Sequence, residues 1–230
     1  MESTGYGGRL PRSVRSSILP SIVIAIARAL VVVSTACVLT LASAPVSAAP
    51  DEEALRLMRL RDAERYEVET ENSNTKAGAA RVHVATPPAE VKKFVRDFKN
   101  YSKLISQFER AKVVGRKGDD TDVYLQVPIL KGAAKVWAVV RFSPIKTVNG
   151  EERLEGRMVK GNVKRLDAVW RIKKIDDENT QLNLELLIVP TLPVPPSVVT
   201  RQARYAADEA VMGMRNRAEK EWDKKQRKKK

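Results

Sequence analysis

The sequence predicts an α+β fold in which a curved antiparallel sheet wraps around a long C-terminal helix, with two short helices after the first strand of the domain. Three observations lead there. From Phe108 to Val189 apolar residues recur with a period of two, broken at intervals by turn residues. From about Ser197 to Trp222 the period becomes helical, with Val199, Ala203, Ala206, Ala210 and Met214 at spacings of three and four. Ahead of both, a proline-initiated helical stretch follows an early strand.

The first 48 residues stand apart. Arg9, Arg12 and Arg15 face only Glu2; an apolar run follows from Ile18, strongest from Ala29 to Leu41; small residues then lead to Val46-Ser47-Ala48 before Ala49-Pro50. That order is the pattern of a cleavable secretory signal, cut after Ala48 with Ala49 as runner-up. The expected location is therefore outside the cytoplasm, in a bacterial periplasm. An uncleaved anchor is the alternative, because Ile18 to Ala44 is long enough to span a bilayer. Arg28 interrupts that stretch at a cost in lipid and leaves about a dozen apolar residues beyond it, the length of a signal's apolar core. A lipoprotein acylated at Cys37 fits less well, since Ser34 stands three residues before it and apolar sequence continues past it. Cys37 is the only cysteine, so a chain trimmed at Ala48 can form no disulfide. Its remaining length of about 180 residues must be held by a packed core.

Residues 49–78 read as a leading helix followed by a strand and a linker. Asp51 to Arg65 is rich in helix formers, with Leu55, Met58 and Leu60 as a thin apolar stripe. Tyr66–Thr70 is strand-like, and 72–78 is a polar loop. The main domain spans 79–219. It opens with a strand at Ala79–Ala85. Thr86-Pro87-Pro88-Ala89-Glu90 then starts a helix, with Thr86 as cap, proline in the first turn and Glu90 at the positive end. Val91, Phe94 and Val95 form its apolar face. Asp97 to Ile105 is the second short helix, capped by Asp97, with Phe98, Tyr101, Leu104 and Ile105 apolar.

Six strands follow: 109–116, 122–127 (stopped by Pro128), 134–143, 151–159, 165–175 and 181–189. Gly118-Asp119-Asp120 turns the first pair, and Asn149-Gly150 is a strong hairpin signal. Alternation assigns the faces. Leu166, Ala168, Trp170 and Ile172 oppose Arg165, Asp167, Arg171 and Lys173; Val136, Ala138, Val140 and Phe142 oppose Lys135 and Arg141. Leu154 and Met158 oppose Arg153, Glu155 and Arg157, and Leu182, Leu184, Leu186 and Ile188 share one face. One face is apolar and the other charged, as in an antiparallel sheet covered on one side. Prolines at 190, 193, 195 and 196 end the last strand, serving either as the mouth of a cavity or as a rigid connector. Alanines on the inner face of the final helix let it lie close to a sheet. The wedge between such a helix and a curved sheet is a natural ligand cavity.

The chain carries 42 Lys+Arg against 28 Asp+Glu, a net charge of +14. Residues 220–230 alone hold seven basic and two acidic residues. A solvated, disordered basic tail is the plain expectation, and attraction to anionic lipid headgroups the sharper one. Nucleic acid is a poor partner for an exported protein.

Arg81-Val-His-Val-Ala-Thr-Pro-Pro-Ala-Glu-Val91 and Val95-Arg-Asp-Phe-Lys-Asn-Tyr101 form a strand-to-helix opening. With Gly161 before Asp167-Ala-Val-Trp170 and the long last helix, it resembles the START-like, helix-grip domains, including the polyketide cyclase and coenzyme Q-binding groups. The likeness runs from about Ala79 to Ala218. It implies a cavity for a lipid, sterol, quinone or polyketide-like molecule and no single chemistry. No cofactor is expected.

Catalytic groups are sparse. His83 is the sole histidine and points away from Val82 and Val84, toward the surface. A Cys/His pair is excluded in a trimmed chain and a zinc site is improbable. The clusters Asp119-Asp120-Asp122 and Asp176-Asp177-Glu178 suit turns and lack the ligand spacing of a calcium loop. Alternation puts Leu125, Val140, Met158, Trp170, Leu184 and Met214 on the candidate cavity wall, with Phe98 and Tyr101 near its entrance. Trp170 is equally suited to plain core packing, and Trp137 falls on the charged face. Three functions stay open: non-catalytic binding of a lipid or apolar small molecule, a cyclase- or hydrolase-type enzyme, and an interaction module with a filled core and a working basic surface.

Overall fold

A computed structural model describes residues 51–129 and 134–229. The signal, anchor and Cys37 readings lie outside the described residues. Among those described, no helix is long and apolar enough to cross a membrane.

The architecture is the expected α+β helix-grip arrangement. Helix α1 (Glu52–Arg59) is followed by strands β1 (Glu64–Val68) and β2 (Ala77–Val84). Helix α2 (Pro88–Val95), a 3-10 turn (Phe98–Asn100) and α3 (Tyr101–Leu104) come next. Then run β3 (Arg110–Lys117), β4 (Asp120–Ile129), β5 (Ala134–Phe142), β6 (Lys146–Val148), β7 (Glu151–Gly161), β8 (Arg165–Lys174) and β9 (Thr180–Val189). Helix α4 (Pro196–Arg227) closes the chain. All pairings are antiparallel, in the order β1-β2-β9-β8-β7-β5-β4-β3, with β6 on β7. Segment α2–α3 thus carries the chain from β2 to the far edge at β3.

Several expectations are corrected. The leading helix ends at Arg59, and its buried face is Ala54 and Leu57; Leu55 and Leu60 are exposed. Strand β2 starts at Ala77, inside the stretch read as a loop. Thr86 does not cap α2: its hydroxyl is buried without a partner, while its carbonyl accepts from the Thr180 hydroxyl at 2.6 Å. Asp97 caps nothing either and accepts from the Asn100 side chain at 2.7 Å. Strand β4 continues through Pro128, because β3 pairs with it only as far as Gln126. Beyond that residue β4 is an edge on the β3 side, where a missing N–H costs no ladder bond. The hairpin at Asn149-Gly150 forms as expected, both residues having positive φ (51° and 79°). Helix α4 runs on to Arg227, so most of the basic tail is helical.

The apolar faces meet in one core. Val82, Val84, Val123, Val140, Leu154, Trp170, Ile172 and Leu182 come from the sheet, and Ala207, Ala210, Val211, Met214 and Ala218 from α4. Two glycines set the approach of α4. A Cβ on Gly78 would lie 2.3 Å from the backbone nitrogen of Arg204, and one on Gly213 would lie 2.0 Å from the carbonyl oxygen of Leu104. Helix α4 therefore touches β2 and α3 backbone to backbone.

The outer face is held by ion pairs that fasten α1 to the sheet. Arg56 grips Glu64 with two bonds of 2.7 Å; Arg81 reaches Glu64 at 2.5 Å and Glu53 at 2.7 Å; Lys173 pairs with Asp51. The Arg56 hydrogen bond, supported by Arg81, holds the Glu64 carboxyl at about 2 against an ordinary 4.5. Next to this network, burial and the Glu185 carboxylate push the Tyr66 phenol up to about 12.

Two outcomes follow. Replacing a helical glycine by alanine ordinarily stabilises by about 1 kcal/mol. Gly213→Ala instead lowers urea-measured stability by about 1–3 kcal/mol, because the methyl group overlaps the Leu104 carbonyl. The second concerns acid. A lowered carboxyl pKa stabilises the fold above the unfolded value and ceases to do so as pH falls through the folded one. The stability gap between wild type and Glu64→Gln is therefore full above pH 4.5 and closes toward pH 2, in urea titrations across that range.

Candidate functional site: an apolar cavity under the last helix

Helix α4 lies against β2 and β9 and stands away from β4 and β5. The space between is a cavity of about 760 Å³. Its floor is the inner face of the sheet: Leu125 of β4; Ala138, Val140 and Phe142 of β5; Leu166, Ala168 and Trp170 of β8; Leu184, Leu186 and Ile188 of β9. Its roof is the side of α4 that carries Val199, Ala203, Ala206 and Ala210. Tyr101, Ile105 and Phe108 close one end. Ser106, Pro128, Val194 and Gln202 are the exposed lining residues and mark the rim. Pro190 and Val194 also line it, so the proline-rich turn borders the opening.

Five of the eight sequence-selected residues stand on this wall: Tyr101, Leu125, Val140, Trp170 and Leu184. Phe98, Met158 and Met214 do not, and are corrected here. Phe98 stacks on Phe142 with ring centroids 4.7 Å apart and borders a different cleft. Met158 sits beside a register shift in the β5–β7 pairing and packs toward Gly161. Met214 is fully buried one turn beyond Ala210, where the cavity has ended. Tyr101 is placed differently from expectation as well: it is 2% exposed and belongs to the interior end, not the entrance. Alternation missed the contributions of the α3–β3 connection and of Gln202, which belong to no strand pattern.

The polar chemistry at the wall is limited. The Tyr101 hydroxyl donates to the Val95 carbonyl, and burial drives its pKa upward, with the Trp170 indole opposing in part. The Ser106 hydroxyl donates to Glu209 at 3.0 Å. Arg157 is exposed on the outer face, and Asp97 borders the other cleft. His83 pairs with the Asn179 side chain at 2.7 Å on the outer face. Trp137 stacks on Tyr124 there, ring centroids 6.0 Å apart, while also bordering the cavity. No group of three or more potential metal ligands gathers among the described residues.

The second cleft, of about 730 Å³, lies between α2 and the β3–β4 and β5–β6 connections. Its wall is unlike that of the first: Lys92, Arg96, Lys99 and Arg116 alternate with Asp97, Asp119 and Glu152. Lys92 and Glu152 pair with each other across it.

Residues 84–215 match the sequence profile of the family described as polyketide cyclase / dehydrase and lipid transport. No protein of curated function matches the sequence. Solved structures share the fold. A START superfamily protein from Mycobacterium smegmatis is 18% identical with a TM-score of 0.54, covering 62% of this chain and 96% of its own. A STAR-related lipid transfer protein from Xanthomonas axonopodis is 12% identical with a TM-score of 0.59, covering 69% and 94%. Human STARD10 is 13% identical with a TM-score of 0.56, covering 76% and 83%. The profile match runs from the end of β2 into α4 and takes in most of the cavity wall. This chain belongs to the polyketide cyclase / dehydrase and lipid transport family, with the START-like helix-grip fold.

Proposed function

We propose that this protein is an exported carrier that binds a lipid or apolar small molecule, without catalysis, in the cavity between sheet and α4. The observation that carries this reading is the cavity itself. Its volume falls within the range of roughly 300–1,000 Å³ typical of small-molecule sites. Its wall is aliphatic and aromatic, so transfer of apolar ligand surface from water contributes roughly 25 cal/mol per Å² before ordering costs. An interaction module with a filled core would have no such space. A cyclase- or hydrolase-type enzyme needs an acid or base at the wall, and the Tyr101 hydroxyl is already bonded to Val95. Membership of a family described by lipid transport supports the same direction. Export rests on the charged, apolar and small-residue order of the first 48 residues.

The basic end of α4 supports a further part of the proposal. Lys224, Lys225, Arg227, Lys228 and Lys229 follow one another there, all exposed. Lys225 is engaged by Glu90 at 2.5 Å, and Lys224 by Glu221 at 3.1 Å. This end would draw the protein to anionic membranes, where apolar ligands reside.

One native mass spectrum tests the carrier and the export readings together. The full chain is expressed with its own N-terminus in a bacterial host and recovered from the periplasm. The expected mass is that of a chain starting at Ala49, with a near-stoichiometric apolar adduct released by organic solvent. Ala206→Trp fills the cavity from α4 and loses the adduct while keeping its thermal transition. An adduct-free protein that takes up no ligand from mixed lipids and quinones overturns the carrier; an untrimmed chain recovered from the cytoplasm overturns export. Sedimentation with phosphatidylglycerol vesicles checks the membrane part. Binding should fall steeply between 50 and 300 mM salt, as the Debye length shrinks from about 14 Å to about 6 Å, and binding that ignores salt counts against it.

A further inference from the structure

The two clefts of this molecule are built from opposite materials. The polar cleft beside α2 is lined by charges of both signs. Among the described residues, the apolar cavity has no Asp, Glu, Lys or Arg on its wall at all. In a chain that is 30% charged, the described ionic side chains all lie off this wall. Its polar groups are neutral. Gln107 and Gln202 lie at or near the rim, and their amides have no side-chain partner among the described residues. Ser106 is held by Glu209, which adds a negative charge beside the opening.

An ionised head brought into such a cavity meets no counter-charge from the described wall residues. Removing a carboxylate or phosphate from water without a paired cation is far more costly than removing a hydroxyl or carbonyl, and the group protonates instead when it can. A neutral polar group meets amides that can both donate and accept. We infer that the cavity selects an uncharged ligand, an apolar body with a hydroxyl or carbonyl that bonds Gln107 or Gln202, and discriminates against fatty-acid anions and phospholipids. This inference rests on the carrier reading and narrows its ligand class.

Two matched probe pairs test it with the purified full-length chain: decanol against decanoate, and naphthalenemethanol against naphthoate. Binding is read by quenching of tryptophan fluorescence and by calorimetry. At pH 7 each alcohol should bind about 100- to 1,000-fold more tightly than its carboxylate partner, the factor set by a carboxyl pKa between 4 and 5 if only the protonated acid enters. The gap should shrink to within about tenfold at pH 5, because roughly a tenth to a half of the acid is then neutral. Gln202→Arg places a cation at the rim and should recover at least about tenfold in carboxylate binding without improving the alcohols. Equal affinities within each pair at pH 7 overturn the inference and leave the carrier reading standing. If no probe of either shape binds, the carrier reading falls and the inference with it.

Discussion

At Gly78 the backbone of β2 meets the backbone of α4 with no side chain between them, and at Gly213 α4 meets α3 in the same way. These two contacts fix the helix against one half of the sheet. A rigid rod pressed onto one side of a curved surface cannot touch the other side. The inner faces of β4, β5 and β8 therefore look across a gap at the Val199–Ala206 side of α4. Small residues on the helix let the approach be close near β2, and the same small residues leave the opposite flank without side chains long enough to fill the gap. The cavity is the geometric consequence of tight packing elsewhere. It is bounded by Tyr101 and Phe108, which stack with centroids 6.2 Å apart at its closed end.

Charge is sorted as strictly as shape. Among the described residues, the outer face of the sheet is covered only in part. Its covering is α1, held by Asp51, Glu53 and Arg56 to Lys173, Arg81 and Glu64. Arg171 and Glu185 form a two-bond pair on the same face. Pairs of this kind are partly exposed and each contributes little, but together they place a short helix that buries only Ala54 and Leu57. Lys224, Lys225, Arg227, Lys228 and Lys229 add a run of positive charge at the end of α4. Among the described residues, interior and exterior thus differ in kind: a neutral apolar space within, and a charged surface without.

Much of this was legible in the alternation of the strands. Leu125, Val140, Trp170 and Leu184 could be assigned to the inner face from a period of two, and all four line the cavity. The same rule failed for Met158, because a face assignment says nothing about depth along a strand, and the register shift at Val139/Val140 turns its side chain toward Gly161. Phe98 and Met214 were correctly apolar and buried, but they pack in the core beyond the two ends of the space. Caps were misjudged for a related reason. Thr86 and Asp97 have the chemistry of helix caps, yet the turns around them direct their side chains elsewhere.

The sequence by itself determined the periods, and with them the elements, their order and the choice of one face for the core. Periodicity is local and survives without knowledge of partners. It also determined that catalytic groups would be few, since composition bounds chemistry. The tertiary structure alone decided that β2 joins β9, that the run around Gly78 is a strand, and that Gln202 and Ser106 share a rim. It alone decided that the apolar face is partly uncovered. Those properties depend on distances between segments far apart in the chain, and a pattern of residues carries no distance until backbones such as those at Gly78 and Arg204 are brought into contact.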